Sequence, residues 1–230
     1  MEQSIMKRYN KTEYTDARKR IRKFIKANHR RPNYCNFKNT EGKIDNLSKA
    51  EYTGLFQGYM LFCLKHGREP NYLTLNTTSS YPLVTNYQDD AYSCCPTSLQ
   101  MCMQFLFEYK SEAYVKKTLG TTKAGTTPNQ LMTNAKKLGY KVTPIGREFK
   151  EVKKSLDSYS PVIMHIETKS AGDCLGFRNS YGHYIMCYKA EDNKYYVIDP
   201  TKGKHTCNFM KLNRATGGSS NRKFYKVEIL

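Results

Sequence analysis

Two stretches in the first third of the chain are copies of one another. Phe24-Ile25-Lys26-Ala27-Asn28-His29-Arg30-Arg31-Pro32-Asn33-Tyr34 returns as Phe62-Cys63-Leu64-Lys65-His66-Gly67-Arg68-Glu69-Pro70-Asn71-Tyr72, at an offset of 38 residues throughout. A repeat of this length implies stacked supersecondary units, because one unit alone cannot bury its apolar face. In the first copy Tyr14, Ala17, Ile21, Phe24 and Ile25 recur at helical spacing. The helix must stop before Pro-Asn-Tyr, since proline cannot continue it. Between the copies, Asn46 or Ser48 offers an N-cap for a second helix running towards Leu64. A small helical repeat domain is therefore expected over residues 1–76.

Asn76-Thr77-Thr78-Ser79-Ser80 is polar and turn-rich, which sets the domain boundary there and starts the second domain, residues 81–230, at Tyr81. Residues 96–109 carry apolar positions at helical spacing, and Pro96 suits a first helical turn, where its missing N–H costs nothing. Smaller helices are expected at 111–119 and 128–138. From Pro161 onward the pattern changes to strands: 162–166, 183–188, 195–198 and 224–229, with Glu191-Asp192-Asn193-Lys194 as the turn of an antiparallel hairpin. Helices followed by strands give an α+β fold, with helices packed on one antiparallel sheet.

The net charge of +18 implies either an anionic partner or a solvated basic face that keeps the protein soluble. Residues 1–75 hold sixteen Lys and Arg against seven Asp and Glu, so half the excess lies in the repeat region. Nucleic acid, acidic lipid and acidic polysaccharide would all satisfy the charge. No nucleic-acid-binding signature accompanies it, which argues against nucleic acid. No apolar run approaches the length of a membrane span, so insertion in a bilayer is excluded as well. The segment Met1 to Arg8 lacks the apolar core of a secretory signal. The expectation is a monomer made in the cytoplasm. The eight cysteines, several inside apolar runs such as Ile185-Met186-Cys187-Tyr188, read as free thiols. No Cys-x-x-Cys pair suggests zinc, and no cofactor is required. Asp89-Asp90, a conceivable cation site, reads as solvated carboxylates.

One constellation carries chemistry. A cysteine at a helix N-terminus beside a histidine is an activated nucleophile, and Cys94 is placed for it. His183 opens one strand of the hairpin and Asp199 closes the next, so antiparallel pairing brings the two ends together. The carboxylate can then orient the imidazole. Gln88, six residues before Cys94, offers an amide N–H to the oxyanion formed in acyl transfer. His66, His165 and His205 have no such context and read as structural.

In their order and spacing, Gln88, Cys94-Cys95-Pro96-Thr97-Ser98, Pro161-Val162-Ile163, Gly182-His183-Tyr184 and Asp199-Pro200 resemble the papain-like cysteine peptidases related to bacteriocin-processing proteases. The likeness spans residues 83–200. Cys95 stands where that family usually has Gly, and register with its Cys-Gly-Pro pattern points to Cys94 as nucleophile. The Pro-Asn-Tyr repeats resemble pseudomurein-binding repeats, which brings the chain nearer to the pseudomurein endoisopeptidases of methanogen viruses. That resemblance implies hydrolysis of the Ala–ε-Lys isopeptide cross-link of the archaeal wall, causing lysis. It also implies the acidic wall polymer as partner, with Asn33, Tyr34, Asn71 and Tyr72 as contacts. A bacteriocin-processing type of peptidase or a related acyl transferase, acting on another peptide, would keep the triad without needing the repeats.

Overall fold

The computed structural model describes residues 7–215 and 223–230. The first six residues, read above for a targeting signal, lie outside them. In chain order the elements are β1 (Arg8–Asn10), α1 (Lys11–Asn28), β2 (Tyr34–Lys38), β3 (Ile44–Ser48), α2 (Lys49–His66), β4 (Tyr72–Thr74), α3 (Cys94–Phe105), α4 (Glu112–Leu119) and α5 (Pro128–Asn134). They continue with β5 (Tyr140–Ile145), α6 (Phe149–Asp157), β6 (Val162–Glu167), α7 (Gly172–Leu175), β7 (Gly182–Glu191), β8 (Lys194–Asp199), β9 (Gly203–Asn208), α8 (Phe209–Arg214) and β10 (Phe224–Ile229). The chain divides into two compact units, residues 1–84 with 104–109, and residues 85–103 with 110–230. The division falls a few residues after the turn-rich 76–80 stretch, and residues 104–109 return to the first unit.

In the first unit the offset of 38 is a structural symmetry. Shifting α1 by 38 residues lands on α2, cap for cap. Asn10 and Ser48 cap the N-termini, each side chain accepting from the backbone N–H three residues on. His29 and Gly67 end the helices in the left-handed conformation, with φ of 52° and 64°. The unit is not purely helical, as the sequence suggested. Each Pro-Asn-Tyr turn feeds a strand, and the strands pair across the repeats: β1 with β4 and β2 with β3, both antiparallel. The short strands escaped notice because each presents only one or two buried side chains, such as Tyr9, Cys35, Leu47 and Leu73.

Two equivalent tyrosines interlock the copies. Tyr14 on α1 donates to the Pro70 carbonyl at 2.5 Å, and Tyr52 on α2 donates to the Pro32 carbonyl at 2.7 Å. Both are fully buried, so losing either hydroxyl would leave a carbonyl unpaired at a cost of roughly 1–3 kcal/mol. Gly54 admits the segment after β4. A Cβ there would lie 2.1 Å from the Thr77 carbonyl oxygen, a distance no side chain tolerates. Residues 104–109 complete this core, with Phe107 packed against Tyr52 and Phe56 and the Leu106 carbonyl accepting from Arg22.

The second unit is built on a six-stranded sheet in the order β5-β10-β6-β7-β8-β9, every neighbour antiparallel. The sequence reading found the central strands but missed β5 and β9 at the edges. The β7–β8 hairpin turns on Asp192 and Asn193, both at positive φ (49° and 56°). These are the left-handed positions that Asn and Asp tolerate in a tight hairpin. Val162, Met164, Ile166, Ile185, Cys187 and Val197 form the heart of one buried cluster on this sheet. Among the described residues no helix is long and apolar enough to cross a membrane.

Candidate active site

Helix α3 begins at Cys94, as Pro96 in its first turn suggested. Four residues on, and so on the same helical face, the Ser98 hydroxyl donates to the Tyr184 carbonyl at 3.0 Å. Tyr184 follows His183 in β7. A single buried hydrogen bond therefore fixes the start of α3 against the strand that carries the histidine.

On the sheet, Met186 faces Ile198, which places His183 diagonally across from Asp199 on the same side of the β7–β8 pair. The imidazole Nε2 lies 3.1 Å from Asp199 Oδ2. The other ring nitrogen is left for Cys94, which also raises the imidazole. Both partners of the pair are buried, His183 at 2% exposure and Asp199 at 0%. Burial is the largest influence on His183 and disfavours its charge, yet hydrogen bonds to Asp199 and Cys94 outweigh it. The imidazole is raised to about 9. Burial likewise opposes the charge on Asp199. Here His183 prevails, helped by Thr201, whose N–H and hydroxyl donate to Oδ1 at 2.6 and 2.7 Å, and the carboxyl is lowered. The arrangement favours an imidazolium facing a carboxylate on one side and sulfur on the other.

The two adjacent thiols part company. Cys94 is partly exposed, whereas Cys95 is fully enclosed and its thiol is raised well above the ordinary range by burial and then by the neighbouring Cys94. Only Cys94 combines access with a histidine. All eight cysteines are free.

Gln88 reaches the same corner. Its backbone N–H donates to the Pro200 carbonyl at 3.0 Å, which ties the loop before α3 to the end of β8. Its side-chain Nε2 donates to the Asp90 carbonyl at 2.5 Å, leaving the second Nε2 hydrogen for an acceptor outside the loop.

Asp90 is not the solvated carboxylate expected from sequence. It accepts from the Tyr92 N–H at 3.0 Å and the Ser93 hydroxyl at 2.7 Å, and it pairs with Lys116 on α4. One turn earlier on α4, buried Glu112 accepts from the Asp89 N–H at 3.0 Å and the Thr97 hydroxyl at 2.7 Å. Helix α4 thus grips the Gln88–Ser93 loop twice and α3 once. Neither residue was marked by the sequence, since nothing in a Glu-x-x-x-Lys spacing distinguishes a brace from a solvated helix face.

Asn33, Tyr34, Asn71 and Tyr72 all lie in the first unit and are exposed, Tyr34 and Tyr72 at 63% and 52%. They are brought into symmetry-equivalent positions at the starts of β2 and β4, and they take no part in the cluster around Cys94. Among the described residues no group of His, Cys, Asp and Glu is arranged to hold a metal ion.

A helix starting at a cysteine, laid on an antiparallel sheet that presents histidine and aspartate at neighbouring strand ends, defines a papain-like cysteine peptidase. Residues 83–215, more than half the chain, match the model of the peptidase C39 family. The chain belongs to that family, the bacteriocin-processing type of cysteine peptidase. Among solved structures it resembles a C39-like peptidase of Bacillus anthracis, with 16% identity and a TM-score of 0.50, over 63% of this chain and 94% of that one. It also resembles the peptidase domain of Streptococcus ComA, a bi-functional ABC transporter of a quorum-sensing pathway, with 20% identity and a TM-score of 0.49, over 64% of this chain and 98% of that one. No curated protein matches the chain.

Proposed function

We propose that the protein is a wall-lytic isopeptidase, cutting the Ala–ε-Lys cross-link of pseudomurein with Cys94 as nucleophile, His183 as acid and base, Asp199 as its orienting carboxylate and Gln88 as oxyanion donor. The Cys94 thiolate attacks the amide carbonyl, and the negative oxygen takes the spare Nε2–H of Gln88. As the tetrahedral adduct collapses, the C–N bond breaks and the His183 imidazolium gives its proton to the leaving amine, leaving a thioester. A water that loses a proton to His183 then attacks the thioester, freeing the acid and restoring the thiolate–imidazolium pair.

The observation that carries the wall assignment is the repeated first unit. A peptidase of a soluble leader needs no such unit, whereas an enzyme of an insoluble polymer gains effective concentration from an anchor. Tyr34 flanks a groove of about 420 Å³ lined also by Arg20, Phe24, Pro32, Asn36 and Asn46. At the equivalent place in the second copy the Arg8 guanidinium sits 5.5 Å from the Tyr72 ring centroid. Exposed tyrosines beside guanidinium groups suit an acidic saccharide. Incubating the full-length protein with purified pseudomurein, with Cys94→Ala as control, tests the reading. Release of new lysine ε-amines by the active protein alone is expected. Intact pseudomurein alongside a cleaved soluble peptide would favour a processing peptidase instead.

A further inference from the structure

The loop between α7 and β7 and the turn after β8 enclose a cleft of about 620 Å³, lined chiefly by Phe177, Arg178, Asn179, Tyr181, Thr201 and Lys202. Its walls are held from behind. The Glu167 carboxylate accepts from the N–H groups of Lys169 and Ser170 and from the hydroxyls of Ser170 and Ser180. Thr168 donates through its hydroxyl to the Asn179 carbonyl at 2.5 Å and accepts the Tyr181 N–H at 3.1 Å. On the far side Asp199 Oδ1 accepts the N–H groups of Thr201 and Lys202. The carboxylate that faces His183 therefore also shapes one wall of the cleft.

The cleft adjoins the reacting groups through rings. Phe177 and Tyr181 stand edge-on to the His183 imidazole, with centroids 5.3 and 6.0 Å away. Among the described residues its charge has one sign. Arg178 and Lys202 are the ionic residues of that lining, no described carboxylate joins them, and neither cation pairs with a described one. Lys202 Nζ instead lies 5.5 Å from the Phe177 ring centroid. Two cations without a described carboxylate partner, in a concave, ring-walled site beside the general acid, invite an anion.

We propose that this cleft is a specificity subsite for a carboxylate carried by the amine component of the scissile amide. The side follows from the placement. His183 protonates the leaving nitrogen, and the cleft meets His183 through Phe177 and Tyr181 and Asp199 through Thr201 and Lys202, while it takes no lining residue from the Gln88–Ser98 segment that meets the acyl carbonyl. Whatever fills it is attached to that nitrogen. The proposal rests on Cys94 and His183 being the reacting pair, and it is independent of whether the first unit binds a wall.

The test uses two soluble isopeptides that differ only in the amine component, one ending in a free carboxylate and the other in a primary carboxamide. The full-length protein is expected to turn over the carboxylate form with a KM about tenfold lower, as one charged hydrogen bond provides, at similar kcat. Arg178→Gln with Lys202→Gln should abolish that preference by raising the KM of the carboxylate form to the level of the carboxamide form. Calorimetry of the same peptides on Cys94→Ala protein reads the preference without turnover, so failure of the catalytic assignment remains separate from failure of the subsite. Equal affinity for both peptides, or a preference that survives the double variant, overturns the proposal.

Discussion

Replacing Asp199 by Asn keeps the shape of the corner but changes which nitrogen of His183 can hold a proton. The buried carboxylate accepts from His183 on Oδ2 and from Thr201 and Lys202 on Oδ1. An asparagine can keep its oxygen towards Thr201 and Lys202 only by turning its NH2 to His183 Nε2. That nitrogen must then accept, so the imidazole keeps its proton on the Cys94 side and takes a second one less readily. The imidazolium, now raised to about 9 from an ordinary 6.5, falls back to that value or below. At about 1.4 kcal/mol per tenfold, restoring the ordinary value removes roughly 3 kcal/mol of preference for the charged form. Cys94 supplies part of this, so a loss of roughly tenfold to a hundredfold in kcat/KM is expected from Asp199→Asn. The assay is kcat/KM on a small soluble isopeptide between pH 5 and 10. Wild type should decline as pH rises through about 9, where the imidazolium is lost, and the variant should decline from near 6.5 or lower. A variant with its alkaline limb still near 9 and a rate within twofold of wild type would refute the reasoning.

Cys94→Ala should abolish hydrolysis, while Cys95→Ala should lower thermal stability yet keep a measurable rate, because Cys95 is enclosed; the reverse pattern in a rate assay would reassign the nucleophile. Ser98→Ala removes the bond between α3 and β7 and should cost about 1–2 kcal/mol in denaturant unfolding and lower kcat several-fold with KM little changed; an unaltered kcat would mean the tether is structural alone. Lys116→Met should loosen the Gln88 loop and reduce kcat several-fold, with Lys116→Arg restoring most of it, and it should add little to the loss already caused by Gln88→Ala; full additivity would separate α4 from the oxyanion donor. Folding stability should also depend on pH in two limbs. The raised His183 contributes fully below about 6.5 and loses its contribution as pH climbs through about 9, whereas the lowered Asp199 contributes above its unfolded value near 3.8 and loses it on acidification, so unfolding midpoints should peak between those limits.

The meeting of His183 and Asp199 was legible because the elements that carry them sit where local rules act. Pro96 marks a helix start, Asp192 and Asn193 mark a hairpin, and once those are placed His183 and Asp199 must meet. The supporting shell was not legible. Ser98 meets Tyr184 across 86 residues and Glu112 meets Asp89 across 23, and no spacing rule announces such pairs. The edge strand β9, Gly203-Lys204-His205-Thr206-Cys207-Asn208, buries only Cys207 and Gly203, too few apolar positions to read as a strand. In the first unit the helices were visible from Tyr14, Ala17 and Ile21, but the strands depend on the partner copy for every ladder bond, so neither copy alone advertises them.

The reciprocal grip of Tyr14 on Pro70 and Tyr52 on Pro32, with β1 closing on β4 and β2 on β3, pairs each copy with its twin. A solenoid grows by one repeat at a time; here the contacts between the two copies are reciprocal. A lone copy cut from the chain retains the strand edges and the unpaired proline carbonyl that its twin would have met, and two such fragments would recover both by pairing with each other.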